Sequence, residues 1–321
     1  HVDRSIDGPE SFIKSNLLGF GNILENSNVN EIEITFWGRK IRVVKNASSI
    51  LSNSVAAVPG TMIQNDKTSN DISHEGNPEK IDSGEKILSP IDEFEFTASK
   101  FIGDGGVGFN VTVPFKIEAF DFSTELTSNA IAARAVNTIK IKNNVVIGEN
   151  TDGYGLVNDL VKNLGETISG KEILIIGAGG ATQGILKPLL DQSPEKILLA
   201  NRTSEKSVKL ASEFLKYGKV CGFGIHQIKS KPVDIVINAT SASIDGVMLD
   251  LPAGLCEGAL CYDLMYGVHT PFMKWSLENS AREVSDGLGM LVEQAALSFN
   301  FWHGVSPKTA SVLSLIRETN G

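Results

Sequence analysis

The sequence predicts an α/β chain of two domains, and three observations predict it. The chain has 321 residues, enough for about two domains, each with its own core. From about residue 87 onward, strand-like apolar runs alternate with amphipathic helical patterns, the signature of a parallel α/β sheet. One of those runs, in "KEILIIGAGGATQGILKPLL" (Lys171 to Leu190), enters a glycine turn and leaves as an amphipathic helix. That is how a doubly wound domain opens.

Composition narrows the function classes. With 41% apolar and 21% charged residues the chain is ordinary for a globular protein. Its net charge of −9 argues against a nucleic-acid or membrane-surface partner, since both select a basic face. Three cysteines (Cys221, Cys256, Cys261) without CxxC spacing suit a reducing cytoplasm better than a disulfide framework. No apolar run approaches about 18 residues, so no membrane span is expected. The opening "HVDRSIDGPE" is no signal peptide, and without an initiating methionine the true start is expected upstream.

The elements follow in order. "EIEITFWGRKIRVV" (Glu31 to Val44) reads as a hairpin, with Ile32, Ile34 and Phe36 alternating before a turn at Gly38, then Ile41 and Val43. Residues 64–86 turn polar and read as a linker within an atypical segment 1–86. "GFNVTVPFK" alternates Phe109, Val111 and Val113, runs into Pro114, and reads as a strand presenting Lys116 at its end. After the strand at Val145 to Ile147, "GENTDGYG" places Asp152 at another strand end, just before the helix "GLVNDLVKNLG". Ends of parallel strands collect ligand groups. Lys116 and Asp152 therefore read either as a buried pair over a substrate or as a surface lysine and a helix-capping aspartate. Spacing alone leaves both open.

The glycine turn is more informative. Gly177 permits the tight turn, and Gly179 lets backbone approach a pyrophosphate at the helix N-terminus, with Ala178, Gly180 and Ala181 beside it. Thr182 occupies the third glycine place of GxGxxG. Many tight turns share a GxG, but the strand–turn–helix context favours a dinucleotide. The next strand, "KILLANRTSEK", ends on Asn201, Arg202 and Thr203, with Lys206 one helical turn on. NAD would call for a carboxylate here; a guanidinium instead binds a 2′-phosphate through a bidentate fork, so NADP is favoured over a merely solvated arginine. His74, His226, His269 and His303 show no metal spacing, and no metal is expected. Cys256 and Cys261 read as core or strand residues, and "MLVEQAALSFNFW" with Trp302 as a packed helix face.

Taken together, "NVTVPFK" (110–116), "AVNT" (135–138), "NTDG" (150–153), "IGAGGAT" (176–182), "NRT" (201–203), "INAT" (237–240), "YDLMY" (262–266) with "TPF" (270–272), and "DGLGMLVEQA" (286–295) make the chain resemble the shikimate dehydrogenase family. The resemblance runs from about Ile87 to the C-terminus. It implies a Rossmann-like NADP-binding domain over 153–285. It also implies an α/β substrate-binding domain over 87–152, completed by helices from 286–321, with the active site in the cleft between them. It makes Lys116 and Asp152 the catalytic pair and Thr112, Asn137, Tyr266 and Gln294 the substrate-binding residues. Gly287 joins the cofactor-binding set, with Gly289 and Met290 beside the nicotinamide. The implied reaction is reversible NADPH-dependent reduction of 3-dehydroshikimate to shikimate, in aromatic amino-acid biosynthesis, by a monomer or homodimer. One part of the pattern fails: the early Ser-x-Ser motif that holds the substrate carboxylate in the family has no match in residues 1–86. Two alternatives follow, a catalytically impaired NADP-binding relative with an altered N-terminus and a quinate/shikimate dehydrogenase.

Overall fold

The structure is a computed structural model. It describes residues 87, 89–112, 114–240, 242 and 247–320, with side chains to 318, and the backbone alone of 31–36 and 39–44. β1 (Glu31–Phe36) and β2 (Arg39–Val44) form the expected hairpin, with Ile32 opposite Val43 and Ile34 opposite Ile41. They make a two-stranded sheet of their own. The expected turn at Gly38 and the polar linker at 64–86 lie outside the described residues.

A four-stranded sheet comes next. It is built from α1 (Phe94–Gly103), β3 (Gly108–Asn110), α2 (Lys116–Phe122), β4 (Glu125–Leu126), α3 (Ser128–Ala133), β5 (Thr138–Lys142) and β6 (Val145–Glu149). Its order is β3-β5-β6-β4. The alternation after residue 87 predicts parallel pairing throughout, but only β4–β6 is parallel here; β3–β5 and β5–β6 are antiparallel. The cause is a two-residue turn between β5 and β6. Asn143 and Asn144 both take left-handed backbone (φ 52° and 62°), the geometry that folds a strand directly back on itself. The core of this unit is Phe94, Ala98, Val111, Ala119, Ala130, Val136 and Ile139.

A second expectation needs correcting. Lys116 does not end a strand. β3 stops at Asn110, and Phe115 N donates to Thr112 O (3.0 Å) in a tight turn, so Lys116 becomes the first residue of α2. Pro114 has no N–H to extend a ladder, which is why the alternation does not continue as a strand.

The larger sheet follows α4 (Asp152–Asn158) and a π-helical turn (Asp159–Asn163). It comprises β7 (Glu172–Ile176), α5 (Gly180–Leu190), β8 (Lys196–Asn201), α6 (Ser204–Phe214), β9 (Val220–Gly224), β10 (Ile235–Asn238), β11 (Leu260–Asp263), α7 (Pro271–Glu278) and β12 (Glu283–Ser285). All pairs are parallel in the order β12-β11-β10-β7-β8-β9, so the order reverses between β7 and β10. Such a reversal opens a crevice at the carboxyl ends of the strands. Alternate residues face opposite layers. Ile173, Ile175, Ile235, Ile237, Leu260 and Tyr262 pack under α4, α5 and α6, while Leu174, Ile176, Val236 and Cys261 pack with Leu255, Cys256 and Phe272. Burial on both faces explains why β7 and β10 are continuous apolar runs.

α8 (Leu288–His303) then returns to the smaller sheet, and α9 (Ala310–Asn320) packs on α8 through Val312, Leu313 and Ile316 against Leu288 and Val292. Trp302 Nε1 donates to Ile139 O (2.8 Å), and Lys140 Nζ donates to the last carbonyls of α8 at Phe301 (2.7 Å) and Trp302 (3.1 Å). A cation at a helix C-terminus is favourable there. Between the two sheets α4 is held at backbone contact on both sides. A Cβ on Gly153 would strike Gly184 O of α5, and one on Gly155 would lie 2.8 Å from Met290 O and 2.7 Å from Gln294 Cβ of α8.

Candidate active site

Local chemistry brings Lys116 and Asp152 to one place. The turn before Lys116 is anchored by Phe115 stacking on Phe94 (centroids 5.6 Å apart), and Val136 N donates to Lys116 O (2.8 Å). That backbone bond ties Lys116 to the residue preceding Asn137. On the other side, Asn150 Nδ2 donates to Ala135 O (3.1 Å), and Asn150 Oδ1 accepts from Asp152 N (3.1 Å), which starts α4 at Asp152.

The side chains then converge. Lys116 Nζ lies 2.7 Å from Asp152 Oδ2, with the two side chains 28% and 21% exposed. The other carboxylate oxygen, Oδ1, accepts from Asn137 Nδ2 (2.8 Å). Asn137 Nδ2 also donates to Gln294 Oε1 (3.3 Å), so a residue of α8 joins the group. Both Asp152 oxygens are engaged, so the carboxylate cannot swing and the ammonium is held in one direction. Such an arrangement presents a partly exposed cation with a fixed aim, suited to meeting a developing negative charge.

Beneath it lies a cluster that the sequence reading passed over. Ser298 Oγ of α8 is within 2.7 Å of Thr138 Oγ1 and 3.1 Å of Thr151 Oγ1, and accepts from Asn110 Nδ2 (3.2 Å). Thr151 N and Thr138 Oγ1 both donate to Asn137 Oδ1 (3.0 and 2.9 Å). Asn137, Thr138, Thr151 and Ser298 are all buried. Buried polar groups with every partner present fix a geometry that apolar packing leaves looser. The available signal was Gln294 and Ser298, polar residues four apart within an otherwise apolar helix face.

Of the other expected substrate residues, Thr112 is exposed in the turn before Lys116, its carbonyl accepting from Phe115 N. Tyr266 is half-buried against the Leu288, Val292 and Val312 cluster made by α8 and α9.

The glycine turn fits a dinucleotide. Gly177 has φ 113° and lies so close to Ala239 that a Cβ would come 2.8 Å from its carbonyl oxygen, so only glycine serves. Thr182, in the third glycine place, is buried and donates its Oγ1 proton to Gly177 O (3.0 Å), bracing the turn. Gly179, Gly180 and Ala181 are exposed at the start of α5, Ala178 is half-buried, and a Cβ on Gly179 or Gly180 would meet nothing within 4 Å. That open space lies in front of the unpaired N–H groups and positive dipole end of α5, where a pyrophosphate binds. At the end of β8, Asn201 Nδ2 donates to Thr203 O (2.9 Å), closing the loop that carries Arg202. Arg202, Thr203 and Lys206 are exposed, and neither cation has an ion-pair partner among the described residues. The donor set suits a 2′-phosphate.

Gly287 precedes the first turn of α8, its N–H donating to Met265 O (2.9 Å), and Met290 is half-buried at that turn. Gly289 is buried and faces the Asp159 carboxylate, which a Cβ would strike. Cys256 and Cys261 are fully buried in one layer of the larger core. Among the described residues no cluster of three or more His, Cys, Asp or Glu could hold a metal, and no helix is long and apolar enough to cross a membrane.

Residues 79–139 match the shikimate dehydrogenase substrate binding domain, residues 159–247 match shikimate / quinate 5-dehydrogenase, and residues 287–317 match the shikimate 5′-dehydrogenase C-terminal domain. The chain is 58% identical over 235 residues to a shikimate dehydrogenase (NADP(+)) of Ruthia magnifica subsp. Calyptogena magnifica, a match covering 73% of this chain and 88% of that one. Among solved structures it is similar to an Ael1 enzyme from Pseudomonas putida (38% identity, TM-score 0.68, 72% and 85% of the two chains). It is also similar to shikimate 5-dehydrogenase from Thermus thermophilus in complex with NADP(H) and shikimate (26% identity, TM-score 0.63, 72% and 85%). With Lys116, the glycine turn and the arginine loop all inside the matched segments, and a relative 58% identical covered over 88% of its length, this chain belongs to the shikimate dehydrogenase family.

Proposed function

We propose that the chain is an NADP-dependent shikimate dehydrogenase that reversibly reduces 3-dehydroshikimate to shikimate, with Lys116 and Asp152 as its catalytic pair. The observation that carries this is the 2.7 Å ion pair whose second carboxylate oxygen is held by Asn137. The chemistry that NADPH supplies when bound is a hydride for the carbonyl carbon of the substrate. As that carbon is reduced, negative charge grows on the carbonyl oxygen, and Lys116 Nζ stabilises it and delivers the proton that makes the hydroxyl. In the reverse direction Lys116 takes that proton back. Asp152 aims the ammonium and accepts from a substrate hydroxyl, while Asn137, Gln294, Thr112 and Tyr266 read the remaining hydroxyls. Gly177 to Ala181 receive the pyrophosphate, Asn201, Arg202, Thr203 and Lys206 the 2′-phosphate end, and Gly287 and Met290 the nicotinamide end.

On this reading residues 87–152 and 286–321 form the substrate domain and 153–285 the cofactor domain, with the site between. The acidic net charge argues against nucleic-acid and membrane-surface partners and the cysteine pattern suits a reducing cytoplasm, so the enzyme is read as cytoplasmic, a monomer or homodimer, and acting on small molecules. The test is the rate of NADP reduction by the purified chain with shikimate, compared with quinate and with NAD. Turnover is expected with shikimate and NADP above every other pairing. Oxidation of quinate but not shikimate, or equal use of NAD, overturns the assignment.

A further inference from the structure

Tyr262, on β11 of the larger sheet, is fully buried and carries a hydroxyl that the chemistry above does not use. That hydroxyl donates to Asp159 Oδ2 (2.7 Å) and accepts from Met290 N (3.3 Å). Asp159 is itself fully buried, opens the π-helical turn, and accepts a second hydrogen bond from Asn163 Nδ2 (2.9 Å) at Oδ1. Three elements therefore meet at one phenol: the π turn, β11 and the first turn of α8.

Burying a tyrosine beside a carboxylate is costly, since both polar groups leave water. Burial, then the neighbouring Asp159, pushes the Tyr262 phenol well above its usual range, so it stays a neutral donor. Burial likewise raises the Asp159 carboxyl, opposed by the hydrogen bonds from Tyr262 and Asn163. An apolar pair of similar volume would fill this space more cheaply. What the polar pair adds is direction. Met290 N belongs to the first turn of α8, whose N–H groups have no partner within the helix. Tyr262 satisfies it, Asp286 Oδ1 accepts from Leu288 N (3.3 Å), and the Asp159 carboxylate lies against Gly289 at the positive end of the helix. On its other side Met290 O abuts Gly155 of α4, the helix that Asp152 begins. Met290 is thus held from below by Tyr262 and from the side by the helix carrying the proposed catalytic carboxylate. The turn stands at the carboxyl ends of β11 and β12, the edge where open α/β sheets bind ligands.

We infer that Tyr262 and Asp159 are positioning residues: through the Met290 turn they set the wall against which the nicotinamide half of the cofactor rests. The inference rests on the proposed placement of Gly287 to Met290 at the nicotinamide end. Neither residue touches the reacting atoms. Removing the phenol hydroxyl should loosen that wall and leave the adenine, 2′-phosphate and pyrophosphate contacts alone.

Calorimetric titration with two probes separates these halves. One is NADP, and the other is 2′-phospho-ADP-ribose, which lacks only the nicotinamide. For Tyr262→Phe the Kd of NADP should rise about tenfold, the worth of one well-placed hydrogen bond, with that of 2′-phospho-ADP-ribose unchanged. The turnover number should fall while the KM for shikimate holds. Asp159→Asn keeps an acceptor for the phenol and should recover most of the NADP affinity that Asp159→Ala loses. Equal weakening of both probes would mean a general structural role, and no weakening of either would mean no role; each overturns the inference. A second measurement needs no variant. NADP should slow amide hydrogen exchange across residues 286–292 of the wild-type chain, and 2′-phospho-ADP-ribose should not; equal protection, or none, overturns the inference as well. A wild-type chain that binds both probes equally removes the nicotinamide-end placement itself. A chain that binds neither removes the proposed function.

Discussion

Lys116 Nζ and Asp152 Oδ2 lie 2.7 Å apart although they stand 36 positions apart in the chain, and the second oxygen of Asp152 is taken by Asn137. The lysine is placed by a backbone bond to Val136 and the aspartate by α4, which is wedged between α5 and α8. Lys116→Ala removes the cation that meets the developing oxyanion while the hydroxyl-reading contacts stay. Its turnover number should fall on the order of 10²-fold or more, with a much smaller change in the KM for shikimate. Asp152→Asn keeps the shape, loses the charge and should impair both. Near wild-type turnover in Lys116→Ala, measured at saturating NADP, would remove Lys116 from the chemistry.

Cofactor choice is expected to lie with Arg202, exposed at the end of β8 and without an ion-pair partner among the described residues. Arg202→Ala should weaken NADP by about 2 kcal/mol, roughly thirtyfold, because a charge-assisted contact to the 2′-phosphate is lost. NAD has no phosphate there, so its Kd should hardly move. Parallel losses for the two cofactors would show that Arg202 supports the loop and does not read the phosphate.

Two glycines should separate packing from ligand space. Gly155→Ala puts a methyl against Met290 O and Gln294 Cβ, and helix backbone cannot step aside as a flexible side chain can. A loss of about 1–3 kcal/mol is expected in urea unfolding. Gly179 has ordinary extended backbone (φ −99°, ψ −170°) and nothing within 4 Å of a built Cβ. Gly179→Ala should therefore leave the unfolding midpoint unchanged and weaken NADP. A destabilised Gly179→Ala chain would contradict the reading of that space as the pyrophosphate seat.

Glu149, which ends β6, gives a pH signature. Burial raises its carboxyl above 4.5, although Thr127, Asn150 N and Asn129 all donate to it and pull the other way. The folded state thus holds its proton to higher pH than the unfolded chain, so this group makes stability fall as pH climbs from about 4.5 through the raised value. All three donors use Oε1 (2.9, 2.7 and 3.2 Å for Thr127, Asn150 N and Asn129), and a glutamine oxygen can replace it. Glu149→Gln should be more stable than wild type near pH 7, with the gain shrinking as the pH falls toward 4.5. Urea midpoints of both chains across that range check it; a gain that grows on acidification would reverse the sign and defeat the argument.

Local signals carried much of the architecture into the sequence. A strand buried on both faces must be a continuous apolar run, so Ile173 to Ile176 marks the centre of the larger sheet by itself. A left-handed turn against Ala239 must be glycine, so Gly177 announces the strand-to-helix turn, and the charge of Arg202 in place of a carboxylate announces the cofactor. The hairpin at 31–44 was equally legible, because alternation and a turn residue are properties of neighbours. What the sequence left open was decided partly by turns whose effect shows only in the folded backbone and partly by residues distant along the chain. Alternation through Val113 suggested a strand to Lys116; the missing N–H of Pro114 and the turn at Phe115 made it a helix start. The Asn143–Asn144 turn made the smaller sheet mixed. The spacing of Lys116 and Asp152 fitted a surface lysine as well as a buried pair, and only the backbone contact of α4 with α5 and α8, allowed by Gly153 and Gly155, brings the carboxylate to the amine. The same holds for Ser298 among Asn110, Thr138 and Thr151, and for Tyr262 on Asp159. A hydrogen bond requires two atoms within about 3 Å, and for residues more than a hundred positions apart that distance is set by how helices and sheets pack.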